Sequence, residues 1–142
     1  MARMKLLFDT SAILKRYREE PGRERVASLL AAATDVVLAD HCKVEIAAGL
    51  CQDLQDAAIS PQQYAQVMAQ VHADFEDFAV ARLDARAQAL AIAAMETHRL
   101  CAMEALHIGA AQAAAVDLFV TADPQQALAA RAVGLKTELI ET

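Results

Sequence analysis

Arg99–Pro124 reads RLCAMEALHIGAAQAAAVDLFVTADP, and how this stretch folds decides the class of the whole chain. Leu100–Val116 is the most apolar run in the protein. It is shorter than the roughly 20 apolar residues a bilayer requires, is largely alanine, and contains Glu104, His107 and Gln112. A buried helix fits it better than a membrane span. The run LFVT (Leu118–Thr121) then reads as a short buried strand, and Asp123-Pro124 starts a new helix, which Gly134 ends. Helix, strand, helix start is the grammar of an α/β protein.

The same alternation recurs upstream. MKLLF (Met4–Phe8) reads as a buried strand followed by a short helix from about Ser11 to Tyr17, and EEPG (Glu19–Gly22) breaks the chain before a helix over about Arg23–Ala33. VVLA (Val36–Ala39) is a second strand, with Asp40 placed to cap the following helix. Ser60-Pro61 starts a helix that carries Tyr64, Val67, Met68, Val71, Phe75 and Phe78 as one apolar stripe. FAVARL (Phe78–Leu83) holds a third strand, Asp84 caps a helix running to about Thr97, and KTEL (Lys136–Leu139) reads as an edge strand. Strands alternating with helices predict a three-layer α/β/α sandwich around a mostly parallel central sheet of four to five strands. Residues 1–142 are expected to form a single domain.

The chain is 56% hydrophobic, much of it alanine, as expected of closely packed helices. Asp9 interrupts the basic and apolar N-terminus before it reaches the length of a signal-peptide core, so the protein is expected in the cytoplasm with no membrane association. Cys42, Cys51 and Cys101 show no paired spacing. The first two share a predicted helix, about 13 Å apart, and all three are expected to be buried thiols. The net charge of −6 argues against a protein that coats nucleic acid. The charge is uneven, though: residues 1–25 hold seven Lys or Arg against four acids. Arg18, Arg23 and Arg25 are therefore candidate RNA-phosphate contacts, with salt-bridging on a helix face as the plainer alternative.

Glu104 poses the sharpest question, because an unpaired ionised carboxylate is costly in so apolar a helix. Asp9 follows the first strand and Asp123 the fourth, where open parallel sheets bind ligands, and each is also well placed as a helix cap. Glu45 lies in the second turn of the helix after the second strand, and would otherwise be a surface residue. His107, three residues beyond Glu104, reads as a core imidazole bonded to a carbonyl, since the second Glu-x-x-His of a di-iron bundle is absent. Four carboxylates at one sheet edge repel one another unless a cation is present, and an all-oxygen set suits Mg²⁺ or Mn²⁺. That chemistry is metal-assisted phosphodiester hydrolysis. A phosphoacceptor receiver lacks its paired N-terminal acids here, and DTS lacks the second aspartate of the haloacid-dehalogenase motif.

LLFDTSAILKRYREEPG, VEIAAGL, LCAMEALHIGAA and LFVTADPQQALAARAVGL, in this order and spacing, resemble PIN-domain proteins, and most closely the VapC-like toxins of bacterial toxin-antitoxin pairs. The resemblance covers essentially the whole chain. It implies a PIN-like fold, Mg²⁺-dependent endoribonuclease activity on an RNA substrate, a homodimer, and inhibition by a small cognate antitoxin. Its acidic ligands fall on Asp9, Glu45, Glu104 and Asp123, with Thr10, Ser11 and Thr121 beside them as orienting hydroxyls. This sequence departs from the family at Glu104, where Asp is usual; the extra methylene displaces the carboxylate by over about 1 Å. Reduced activity, a shift toward Mn²⁺, or a catalytically degenerate PIN domain that binds proteins are the alternatives this raises. The basic residue often found just before this acid is displaced to Arg99, with Cys101 in its place.

Overall fold

The computed structural model describes residues 3–141. Five strands, β1 (Lys5–Phe8), β2 (Asp35–Ala39), β3 (Ala79–Ala81), β4 (Leu118–Thr121) and β5 (Thr137–Leu139), form one sheet in the order β3-β2-β1-β4-β5. Every pairing is parallel, with Leu7 facing Val37 on one side and Phe119 on the other. The inner strands β1, β2 and β4 are mainly apolar because both faces of the sheet are covered there, while the edge strands β3 and β5 are short and partly exposed. Alternation along them sorts the core into two layers. Leu6, Phe8, Leu38 and Val120 face one side, packed with residues of α1 (Thr10–Ile13), α2 (Arg23–Ala32), α3 (Cys42–Gln55) and α4 (Pro61–Asp77). Leu7, Val37, Ala39 and Phe119 face the other, against α5 (Ala85–Thr97), α6 (Ala102–Ala113) and α7 (Pro124–Ala132). The expected three layers are present, with five strands and seven α-helices among the described residues.

Local chemistry sets most of the helix starts. Ser60 and Gln63 close a reciprocal capping box with proline in the first turn of α4, and Asp84 and Asp123 cap α5 and α7 through their side chains. Gly134 adopts φ +92° just beyond α7, a left-handed conformation that ends the helix without a Cβ clash. The Tyr64–Phe78 stripe belongs to the core: Val71 is fully buried and the other five side chains pack partly buried against the same cluster.

Four expectations need correction. Asp40 does not cap α3; the chain turns through Asp40 and His41, and His41 takes the cap position with no side-chain bond. Glu45 consequently lies in the first turn of α3, not the second. The segment after β1 is a four-residue α-helix that tightens into a 3-10 turn at Leu14–Arg16. Only Cys42 is a buried thiol; Cys51 is half-buried and Cys101 exposed, because α6 begins at Ala102 and leaves Cys101 at its mouth. No helix among the described residues is long and apolar enough to cross a membrane.

Candidate metal centre

The strand order reverses between β1 and β4, since β2 and β3 follow on one side and β5 on the other; ligands of open parallel sheets bind at such a switch point, beyond the strand ends. There the chain forms a pocket of about 150 Å³ lined by Asp9, Thr10, Ser11, Glu45, Glu104, His107, Asp123 and Gln126. Four separate segments supply its four carboxylates: the end of β1, α3, α6 and the loop after β4. Among the described residues no lysine or arginine lines it.

Asp9 is 4% exposed. Its Oδ1 accepts hydrogen bonds from the Ser11 hydroxyl (2.7 Å) and the Ala12 amide (3.0 Å), and its Oδ2 accepts one from the Thr121 hydroxyl. It is thus the N-cap of α1 as well as a wall of the pocket. Burial pushes its pKa above the ordinary carboxylate value, against the opposing pull of His107 and these hydrogen bonds. Ser11 also accepts from the Ala122 amide (2.9 Å), so one hydroxyl ties the start of α1 to the loop carrying Asp123.

Glu45 is half-buried. Its Oε1 accepts from the Thr10 hydroxyl and from His107 Nε2, both at 2.7 Å, while His41 Nε2 lies 3.4 Å away. Burial works against the charged form, yet the bonds from His107 and Thr10 hold its pKa below the ordinary value. An ionised carboxylate only accepts, so His107 Nε2 carries a proton here. His107 is 3% exposed and is bonded to this carboxylate, not to a carbonyl as its sequence context suggested. His41 Nε2 faces the Met103 carbonyl at 2.9 Å and must also be protonated; burial and the neighbouring His107 lower its pKa. Potential ligand atoms of His41, Glu45 and His107 lie within 4.8 Å of one another, but a cation bound to the Nε2 atoms would have to displace both of these hydrogen bonds.

Glu104 stands at the third position of α6, and its Oε1 accepts from the Cys101 amide at 2.8 Å. Burial opposes its ionisation, but this bond and an interaction with Asp123 bring its pKa below the ordinary value. The lone acid of the apolar helix is thereby half-buried, partnered by its own helix end and turned toward the pocket. Asp123 caps α7 through the Gln125 amide (2.9 Å), and its own amide donates to Thr121 Oγ1 (3.0 Å). The structure therefore brings Asp9, Glu45, Glu104 and Asp123 to one pocket and places Thr10, Ser11 and Thr121 against two of these carboxylates.

The three arginines are elsewhere. Arg18 is held by Asp53 (2.9 Å) and the Gly49 carbonyl, Arg23 by Glu19 (3.2 Å), and Arg25 by both oxygens of Glu138 (2.6 and 2.7 Å). None lines the pocket. Sequence reading passed over His41 and Gln126. His41 stands one turn before Glu45 and Gln126 one turn after Asp123, and that spacing was the available signal.

Residues 6–132 match the PIN domain family. The chain belongs to the PIN-domain family. No curated protein matches it in sequence at a significant level. Among solved structures it is similar to Mycobacterium tuberculosis VapC20, described as a sarcin-ricin loop cleaving toxin, at 14% identity and a TM-score of 0.67 over 92% of this chain and 95% of that one. Rickettsia felis VapBC2 bound to promoter DNA gives 13% identity and 0.69 over 95% and 98%. FitAcB from Neisseria gonorrhoeae gives 17% and 0.66 over 93% and 95%. VapC toxins of VapBC toxin-antitoxin systems are thus structural neighbours of this PIN domain.

Proposed function

We propose that this PIN domain is a metal-dependent endoribonuclease, the toxin member of a toxin-antitoxin pair, which hydrolyses RNA phosphodiester bonds at a site where Asp9, Glu45, Glu104 and Asp123 hold Mg²⁺ or Mn²⁺. The observation that carries this reading is the convergence of four carboxylates from four segments on one pocket with no basic side chain among its lining. An all-oxygen donor set of that charge fits a hard divalent cation that keeps several waters. When bound, such an ion supplies a water of lowered pKa and neutralises charge growing on the phosphate.

The chain's own residues do the holding. Ser11, Thr121 and the Ala12 amide fix Asp9 at the end of β1. Thr10 and His107 converge on Glu45 Oε1 and leave its other oxygen for the pocket. The helix starts of α6 and α7 present Glu104 and Asp123. The name of VapC20 as a loop-cleaving toxin supports an RNA substrate, and the VapBC complexes support a cognate antitoxin as partner. A homodimer and an intracellular site of action complete the proposal.

A second reading, a catalytically degenerate PIN domain that binds proteins, is favoured by one observation: Glu104, the residue that departs from the family's Asp, spends an oxygen on capping its own helix. Cleavage of a mixed RNA pool with Mg²⁺, Mn²⁺ or EDTA separates the two. The nuclease reading expects metal-dependent cutting that falls at least about 100-fold in Asp9→Asn, as loss of a ligand should exceed the roughly 10–100-fold effects of its supporting partners. Cutting by Glu104→Asp alone would establish the degenerate site, and metal-independent cutting would overturn both.

A further inference from the structure

Gln126 is 1% exposed, lines the carboxylate pocket, and carries a side-chain oxygen with no hydrogen-bond partner. Local sequence would place it elsewhere. Asp123-x-x-Gln126 is spelled like a capping box, in which the third-position side chain folds back to the cap residue's amide. This chain makes that bond twice, from the Ser60 amide to Gln63 and from the Cys101 amide to Glu104. At α7 the Asp123 amide is already taken by Thr121 Oγ1, so Gln126 is free to turn inward.

Once inside, its orientation is fixed by chemistry. Nε2 donates to the Glu104 backbone carbonyl at 2.8 Å, and a carbonyl can only accept, so the amide cannot be flipped. Oε1 is then left as a buried acceptor facing no donor among the described residues. Such atoms are rare in folded chains and mark a water, an ion or a functional contact. Every other oxygen-bearing side chain of this pocket wall is a carboxylate or a hydroxyl already used to orient one. Gln126 is the neutral amide among them.

We infer that Gln126 Oε1 belongs to the cation site as a fifth, neutral oxygen, accepting a hydrogen bond from water carried by a divalent cation. This rests on the reading of the four carboxylates as a cation site. A hard cation that retains several waters needs acceptors for them, and a neutral one adds no further charge to four crowded carboxylates. The same amide ties α7 to the first turn of α6, so the helix starts bearing Glu104 and Asp123 are joined by the group that meets the hydrated ion.

The test is calorimetric titration of Mn²⁺ into the wild type, Gln126→Met, Gln126→Leu and Asp9→Asn, beside melting of each protein without metal. Methionine and leucine fill the space without an oxygen acceptor. The expected result is a fall of about 10-fold or more in Mn²⁺ affinity for both Gln126 variants, the scale of supporting partners at metal sites, with metal-free melting temperatures no lower than wild type, since losing the bond to the Glu104 carbonyl is offset by removing a buried unpaired oxygen. Unchanged affinity in both overturns the inference while leaving the four-carboxylate site intact. A loss of affinity matched by a loss of metal-free stability in both also overturns it, assigning the amide to the α6 tie alone. Absence of Mn²⁺ binding by the wild type, or binding indifferent to Asp9→Asn, overturns the cation-site reading and this inference with it.

Discussion

The carboxylate of Asp9 is almost wholly buried, and ionising it there costs the fold stability. Its pKa is raised by burial, so the folded chain binds a proton there more tightly than the unfolded chain does. Stability of the metal-free protein therefore falls as pH rises through the unfolded value toward the folded one, and the penalty is fully present beyond it. Asp9→Asn keeps the Oδ1 acceptor for Ser11 and Ala12, replaces the Oδ2 acceptor by an amide N–H that the Thr121 oxygen can accept once its hydroxyl turns to Ser11, and discards the charge. We expect its metal-free form to melt above the wild type at neutral pH by a few degrees, about 1 kcal/mol being worth about 2–8 °C in a domain of this size, with the gap closing below about pH 4. Thermal melts across pH check this; a variant that melts lower at neutral pH would show the charge to be compensated within the protein. Asp9 and Asp123 stood out in the sequence because each follows a strand, and Glu104 because it is the lone acid of an apolar helix; Glu45 read locally as a surface residue and was marked by the family resemblance. The partners of two pocket residues were not. His107 meets Glu45 across 62 residues and Gln126 meets the Glu104 carbonyl across 22, and no local pattern announces such pairs.

At the scale of elements, the site depends on how closely α6 lies on α5. Gly109 permits it: a Cβ there would meet the Ala87 carbonyl oxygen and approach the Ala91 amide to 2.9 Å, both backbone atoms of α5. Buried Ala87, Ala91 and Ala94 give α5 a face shallow enough for this contact. Gly109→Ala should cost about 1–3 kcal/mol by overpacking and displace the helix that carries Glu104 and His107. We expect a lower denaturation midpoint together with weaker RNA cleavage, both read on the same preparation; full activity at lowered stability would mean that the site tolerates a shift of α6. Most elements were legible here. Ser60-Pro61, Asp84 and Asp123-Pro124 carry capping chemistry that acts within four residues, and the inner strands are mainly apolar runs. Asp40 misled because its backbone amide extends the sheet, pairing with the carbonyl of Ala81 at the end of β3, and the helix starts one residue later. That contact between distant segments is invisible in a linear reading.

Across the whole molecule, the basic N-terminal segment is largely neutralised within the fold. Arg3, Lys15, Arg16, Arg18, Arg23 and Arg25 all form ion pairs, with Asp35, Glu20, Asp74, Asp53, Glu19 and Glu138, and Lys5 donates to the Ala114 carbonyl. Composition showed the charge, but only the fold shows that it is spent on the protein's own acids. Arg25→Ala should consequently leave both RNA affinity and its salt dependence unchanged, whereas a phosphate contact would lower the salt slope by about one. Filter binding over a range of salt concentrations measures it. The pocket at the β1–β4 switch point is where four acids from four segments meet, and the cation proposed for it is what most needs testing. Crystals grown with Mn²⁺ and measured for anomalous scattering test it most directly. A peak is expected among Asp9, Glu45, Glu104 and Asp123, lost in Asp9→Asn; no peak there, or one seated instead between His41, Glu45 and His107, would rule this cation site out.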